Sequence, residues 1–269
     1  MNGFDCLVII AYLAAMLVFG LLLSRQSDEG DYFLGNKGIG WFPLALSTMA
    51  TQLSAISFIS APAFVGLREG GGLKWLTFEF AVPLAMLLVM FVIMPPLYRS
   101  GVISIFDFLE RRIGRSTRFF ISLSFQIVRA FGTGIMVYVT GLIIEAVLGV
   151  PFLQSILAIS LITILYSFLG GIRAVVYADA IQMVGGVDSF WSGIDPARLQ
   201  VVDWSYAGLV TDEFALLPML FGGFVLYASY YACDQTQAQR SLSAKSLGDI
   251  RKLLIANALL RFPVTLLYC

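Results

Sequence analysis

The chain has 269 residues, 59% hydrophobic and 13% charged, with a formal net charge of zero and no histidine; its mean hydropathy is +0.87. That composition lies outside the soluble globular range and inside the membrane range. Balanced charge, with bases in short clusters between apolar runs, points away from a nucleic-acid partner, and the absence of histidine and of a GxSxG motif excludes two large classes of membrane hydrolase.

In chain order, the first apolar run, 6–23, follows "MNGFD", which has no Lys or Arg, and no small-residue cleavage site closes it. It reads as a retained span and not as a signal peptide. Further spans are expected at about 41–66, 75–98, 119–148, 154–170, 214–233 and 253–269, with a doubtful piece at about 172–184. The expected fold is therefore all-α, a polytopic helical membrane protein. Cys6, Cys233 and Cys269 lie in or beside apolar runs, without disulfide or metal-ligand spacing, and carry no assigned function.

Charge sets the topology. The loop at 99–118 holds Arg99, Arg111, Arg112, Arg115 and Arg118, and 234–252 holds Arg240, Lys245, Arg251 and Lys252, so both belong in the cytoplasm and the amino terminus outside. The polar segment 185–213 has Arg198 against Asp188, Asp195, Asp203, Asp212 and Glu213, and belongs outside. Residues 172–184 must then cross the membrane, yet such a helix reaches roughly 20 Å against a hydrocarbon core of about 30 Å. Gly185-Gly186 and a polar loop follow at once, and the chain stops at Cys269 within an apolar run. Together these features read as a longer membrane protein shortened at two places.

The second span is crowded with hydroxyls: "ALSTMATQLSAISFISAPAFVG", residues 45–66, carries Ser47, Thr48, Thr51, Ser54, Ser57 and Ser60. Ser47, Thr51 and Ser54 fall at i, i+4 and i+7, a polar stripe that should face the bundle interior. Two readings stay open: hydroxyls as glue between helices, or a discontinuous helix whose unwound carbonyls coordinate a desolvated cation.

Arg129 lies in the middle of "FFISLSFQIVRAFGTGIMVYVTGLII", about ten residues from the nearer edge and too deep to snorkel easily. It needs a partner, either an internal acid, Glu79 or Glu145, or a solute carboxylate held bidentately. Asp179 and Glu79 are likewise costly in spans; Asp179 could pair with Arg173 or cap a helix, and Glu79 could sit near Lys74 at an interface. Tyr230 and, one turn earlier, Tyr227 could form part of an interfacial tyrosine belt or a stacking surface. Asp234, Gln235, Gln239 and Arg240 are expected to cap and solvate a helix end.

Four stretches, "DYFLGNKGIGWFPLALSTMATQLSAISFIS" (31–60), "MPPLYRSGVISIFDFLERRIG" (94–114), "YSFLGGIRAVVYADAIQ" (166–182) and "DQTQAQRSLSAKS" (234–246), resemble the sodium:solute symporter family in that family's order. The resemblance implies a partial leucine-transporter-like fold of two inverted repeats, the first over about 41–184 and the second starting over about 214–269, with the external loop 185–213 between. It implies sodium as the coupling ion, held by the backbone carbonyls of Ala50 and Leu53, with Asp179 in sodium coupling. It further implies a solute site that includes Ser54, Ser57, Glu79, Arg129 and Tyr227, with Tyr230 as the gate. Ser57 stands where sugar-transporting members use glutamine, and Arg129 falls where sialic-acid-transporting members place an arginine against the solute carboxylate. The expected function is sodium-coupled symport of a small organic solute, a sialic acid or another sugar acid, across the plasma membrane. The competing reading is a shortened, non-transporting membrane chain. The resemblance is to transporters and to no enzyme, and the oligomeric state is open.

Overall fold

The computed structural model describes residues 3–24, 28–52, 55–69, 71–185 and 215–268. Its helices are α1 (Gly3–Leu22), α2 (Glu29–Leu34), α3 (Trp41–Ala50), α4 (Ala55–Gly66), α5 (Leu73–Arg99), α6 (Ile105–Arg112), α7 (Arg115–Leu148), α8 (Phe152–Gly185), α9 (Leu216–Cys233), α10 (Gln235–Leu242) and α11 (Leu247–Tyr268). Extended pairing among the described residues is limited to one isolated parallel bridge between Ile39 and Ala244. The fold is all-α, as the composition implies.

Of the described helices, four are long and apolar enough to cross a membrane: Leu73–Arg99, Arg115–Ala146, Phe152–Ala180 and Leu216–Cys233. Two of the seven expected spans change, and so does the doubtful piece. The run 41–66 is two helices, α3 and α4; at the end of α3 the Thr51 amide and hydroxyl both bond the Ser47 carbonyl, at 2.9 and 2.7 Å, and the Gln52 amide bonds Met49. A Thr hydroxyl that bonds the carbonyl four residues back destabilises a helix slightly and often bends it. The expected span at 253–269 is the later part of α11, whose first turns carry Asp249, Arg251 and Lys252. The expected piece at 172–184 is no separate short helix but the continuation of α8 past a break at Gly171, where φ 55° and ψ −153° suit glycine alone. The expected external loop 185–213 lies, beyond Gly185, outside the described residues.

Sequence explains the irregular course of α5. It opens in 3₁₀ turns over Leu73–Ala81, becomes α-helical, and widens to a π turn over Val89–Ile93 just before Pro95 and Pro96. Prolines cannot donate to the preceding turn and crowd its carbonyls, and the wider turn relieves both effects. Burial divides the molecule: 44% of the central window of α5 is buried, against 6% of α7 and 17% of α8. The main core lies where α3, α5, α9, α10 and α11 meet, around Leu44, Met86, Met94, Tyr231, Leu242, Leu253 and Leu254. Gly223 lets α9 press onto α5, since a Cβ there would stand 2.5 Å from the Phe78 carbonyl oxygen. That close approach brings the next turn of α9, with Tyr227, onto Phe78.

Candidate functional site

Among the described residues, the charged and tyrosine residues of the expected site fall in three polar clusters, each built around an arginine. The first joins α3, α8 and α10. Ser47, fully buried on α3, donates to Asp179 Oδ2 at 2.6 Å. The Arg240 guanidinium closes the triangle, with Nε 2.8 Å from Ser47 Oγ, Nη2 3.0 Å from Asp179 Oδ2 and Nη1 2.7 Å from the Thr236 carbonyl. Charge-assisted contacts of this length are the strong ones. Arg240 is thus buried and does not solvate a helix end, and Asp179 binds Arg240 where Arg173 was one expected partner. Arg173 instead ties α8 to α2, 2.7 Å from Asp31 and 3.2 Å from the Gly35 carbonyl.

Beside this cluster lies the end of α3. Ala50, half-buried, is the last residue of the helix. The Thr48 hydroxyl and the Gln52 amide oxygen are buried there without hydrogen-bond partners. Uncommitted oxygens at a helix end are the donor set that a hard cation prefers. Leu53 and Ser54 lie outside the described residues, and Ser57 is half-buried on α4.

The second cluster is sealed. Glu79 on α5, 1% exposed, accepts from Arg261 Nε and from Thr265 Oγ1 of α11, both at 3.3 Å. Tyr227 lies against this pair, its ring stacked on Phe78 at 5.8 Å and under the Arg261 guanidinium at 6.0 Å. The neighbouring Tyr231 donates to Asn257, whose own amide returns to the Leu253 carbonyl. Glu79 therefore has its partners inside the bundle, away from the interfacial position beside Lys74, and the Tyr227 ring is packed between neighbours.

The third cluster is loose. Arg129 on α7 meets neither Glu79 nor Glu145 but Asp234, with Nη1 3.6 Å from Oδ2 and side chains 40% and 16% exposed. Asp234 also caps α10, its Oδ1 accepting from the Thr236 amide at 2.8 Å and from the Thr236 hydroxyl. Tyr230 stands close by and accepts from Gln237 Nε2 at 3.0 Å, while the Gln237 amide oxygen is buried without a partner. Gln235, expected to solvate this helix end, instead accepts from the Ile105 amide at 2.9 Å and pins α6.

Sequence reading missed Arg261, Arg240, Thr265 and Gln237 as site residues. Arg261 carried a signal, since it lies deep in "LLIANALLRFPVTLLY" just as Arg129 lies in its own run. Arg240 carried none, because its polar neighbours make it look solvated.

Comparison with known proteins accords with this architecture. The model of the sodium:solute symporter family matches residues 32–185. Among curated relatives, a sodium-coupled monocarboxylate transporter 2 of Danio rerio is 30% identical over 95% of this chain and 43% of its own length. A sodium/glucose cotransporter of Vibrio parahaemolyticus is 27% identical over 98% of this chain and 53% of its own. The sodium/sialic acid symporter SiaT of Proteus mirabilis is 31% identical over 93% and 54%. A solved structure of a Na+-coupled sialic acid symporter, in a substrate-bound outward-open state, superposes with a TM-score of 0.86 at 26% identity, over 99% of this chain and 59% of that one. The chain spans about half the length of the curated relatives it matches.

Proposed function

The chain belongs to the sodium:solute symporter family, and from that premise we propose that it serves sodium-coupled symport of a small organic anion by alternating access. The observation that carries the anion is Arg129, a half-exposed guanidinium in an apolar helix whose internal counter-ion stands beyond hydrogen-bonding distance. A sialic acid and a monocarboxylate, the solutes named for two of the relatives, share one group, the carboxylate. A guanidinium receives that group bidentately.

In this reading Ala50 and Leu53 offer backbone carbonyls to sodium, and Asp179 couples that site to the rest of the bundle. Support comes from the buried, unpartnered oxygens of Thr48 and Gln52 at the end of α3. Ser54, Ser57 and Arg129 contact the solute, Glu79 and Tyr227 shape the wall behind it, and Tyr230 is the gate. The tie from Asp179 to Ser47 and Arg240 joins α8 to α3 and α10, so it must open if α8 is to move away from them. Sodium binding favours one access state and the solute closes it; differential affinity between states supplies the coupling. The first repeat occupies about 41–184 and the second starts within about 214–269, in the plasma membrane with the amino terminus outside.

The test is uptake of radiolabelled sialic acid into proteoliposomes that hold the full chain. Sodium-dependent uptake that Arg129→Gln abolishes is the expected result. Uptake that ignores sodium, or that survives Arg129→Gln intact, removes the reading.

A further inference from the structure

We propose that Asp234 is an internal stand-in for the solute carboxylate, a counter-ion that the solute displaces from Arg129 when it binds. The inference rests on the reading of Arg129 as the solute's anchor, and adds to it a second specificity-determining residue.

An arginine deep in an apolar helix cannot wait without a counter-charge until a solute arrives, because a bare charge there costs several kcal/mol. Asp234 meets that need, but weakly. At 3.6 Å the contact is longer than the 2.7–2.9 Å or so of a charge-assisted hydrogen bond, and it engages one oxygen, whereas a carboxylate docked on the planar fork of guanidinium makes two parallel bonds. The 40% exposure of the Arg129 side chain leaves an approach for such a ligand. A solute carboxylate therefore offers Arg129 a better geometry than the protein does.

Displacement is cheap for Asp234 because its other oxygen is already anchored. Oδ1 holds the Thr236 amide at 2.8 Å, so Oδ2 can release Arg129 while the carboxylate keeps its place at the start of α10, where the helix dipole favours negative charge. Arg240, the cation of α10, is committed to Asp179 and Ser47. Contrast Glu79, whose two oxygens are both engaged inside a sealed pocket; no solute could replace it without opening the core. One turn along α10, Gln237 holds Tyr230 with its amide nitrogen and keeps a buried amide oxygen without a partner.

Asp234→Asn separates the two roles of the residue, since asparagine caps a helix as well as aspartate does but brings no charge to Arg129. The full chain, purified in detergent with sodium present, is titrated by calorimetry with two probes, sialic acid and lactate. A thermal melt checks that each variant is folded. The expected result is that Asp234→Asn binds at least one acid about fivefold tighter or more than the unmodified chain does, that Arg129→Gln loses about tenfold or more, and that the methyl ester of the same acid gains nothing from Asp234→Asn. Unchanged or weaker acid binding by Asp234→Asn, with the loss at Arg129→Gln intact, overturns the stand-in and leaves the anchor. Equal binding by Arg129→Gln and the unmodified chain overturns both, as does failure of the unmodified chain and Asp234→Asn alike to bind either acid.

Discussion

Two arginines sit in apolar helices of this molecule and face carboxylates, yet they occupy different environments. Arg261 and Glu79 are 8% and 1% exposed, shut in by Thr265 and Tyr227; Arg129 and Asp234 are 40% and 16% exposed, with a longer separation. In the closed pocket the charges are shielded from water, so the pair is part of the architecture that holds α5 to α11. In the open one the pair competes with water and solute. Burial, more than residue type, separates an ion pair that holds a fold from one that can be exchanged for a ligand.

The contrast can be broken by substitution, beginning where the effect is largest. Glu79→Ala should strand Arg261 in the core and cost about 3–5 kcal/mol, read as a lower melting temperature in detergent; a melt equal to that of the unmodified chain would move the pair from architecture to binding. Next comes the triangle at the end of α3. Arg240→Gln leaves the Asp179 carboxylate, still bonded to Ser47, without its cation, and should cost about 1.5–3 kcal/mol. Part of that loss should return in the double variant with Asp179→Asn, because partners in one network are not additive; strict additivity would show that the two act independently. Asp179→Asn alone should also shift sodium activation of uptake to higher sodium, and an unchanged activation curve would remove Asp179 from the coupling.

Smaller effects complete the series. Arg129→Gln should change stability by no more than about 1 kcal/mol while it lowers affinity for an acid about tenfold or more; a large drop in melting temperature would place Arg129 with Arg261 as a structural residue. Asp107→Asn, in the exposed i, i+4 pair with Arg111, should stay within about 0.5 kcal/mol of the unmodified chain. A larger change there would mean that exposure does not rank these pairs.

Much of this was legible in the chain itself. A discontinuous helix in the hydroxyl-rich stretch was one of two readings, and the chain there forms two helices, α3 and α4. The span expected at 154–170 and the doubtful piece at 172–184 proved to be one helix, α8, with a bend between them, since one residue at φ 55°, Gly171, suffices to redirect the chain. Arg129, Asp179 and Glu79 were marked as residues that need partners. Their actual partners were not legible: the bonds run from Glu79 to Arg261 and from Ser47 to Asp179 across 182 and 132 residues, and no local pattern encodes which distant turn will face a given charge. Arg240 shows the reverse error, since polar neighbours in sequence made a buried residue look exposed.

Composition and periodicity by themselves therefore determined the solvent, the helical class, the approximate spans and the list of costly charges, because the energy of placing a side chain in hydrocarbon depends on that side chain and its helix alone. Tertiary structure decided which charges neutralise one another, which pair is sealed and which is open. Those outcomes depend on distance and burial between helices, and electrostatic energy in a low-dielectric interior changes steeply with both.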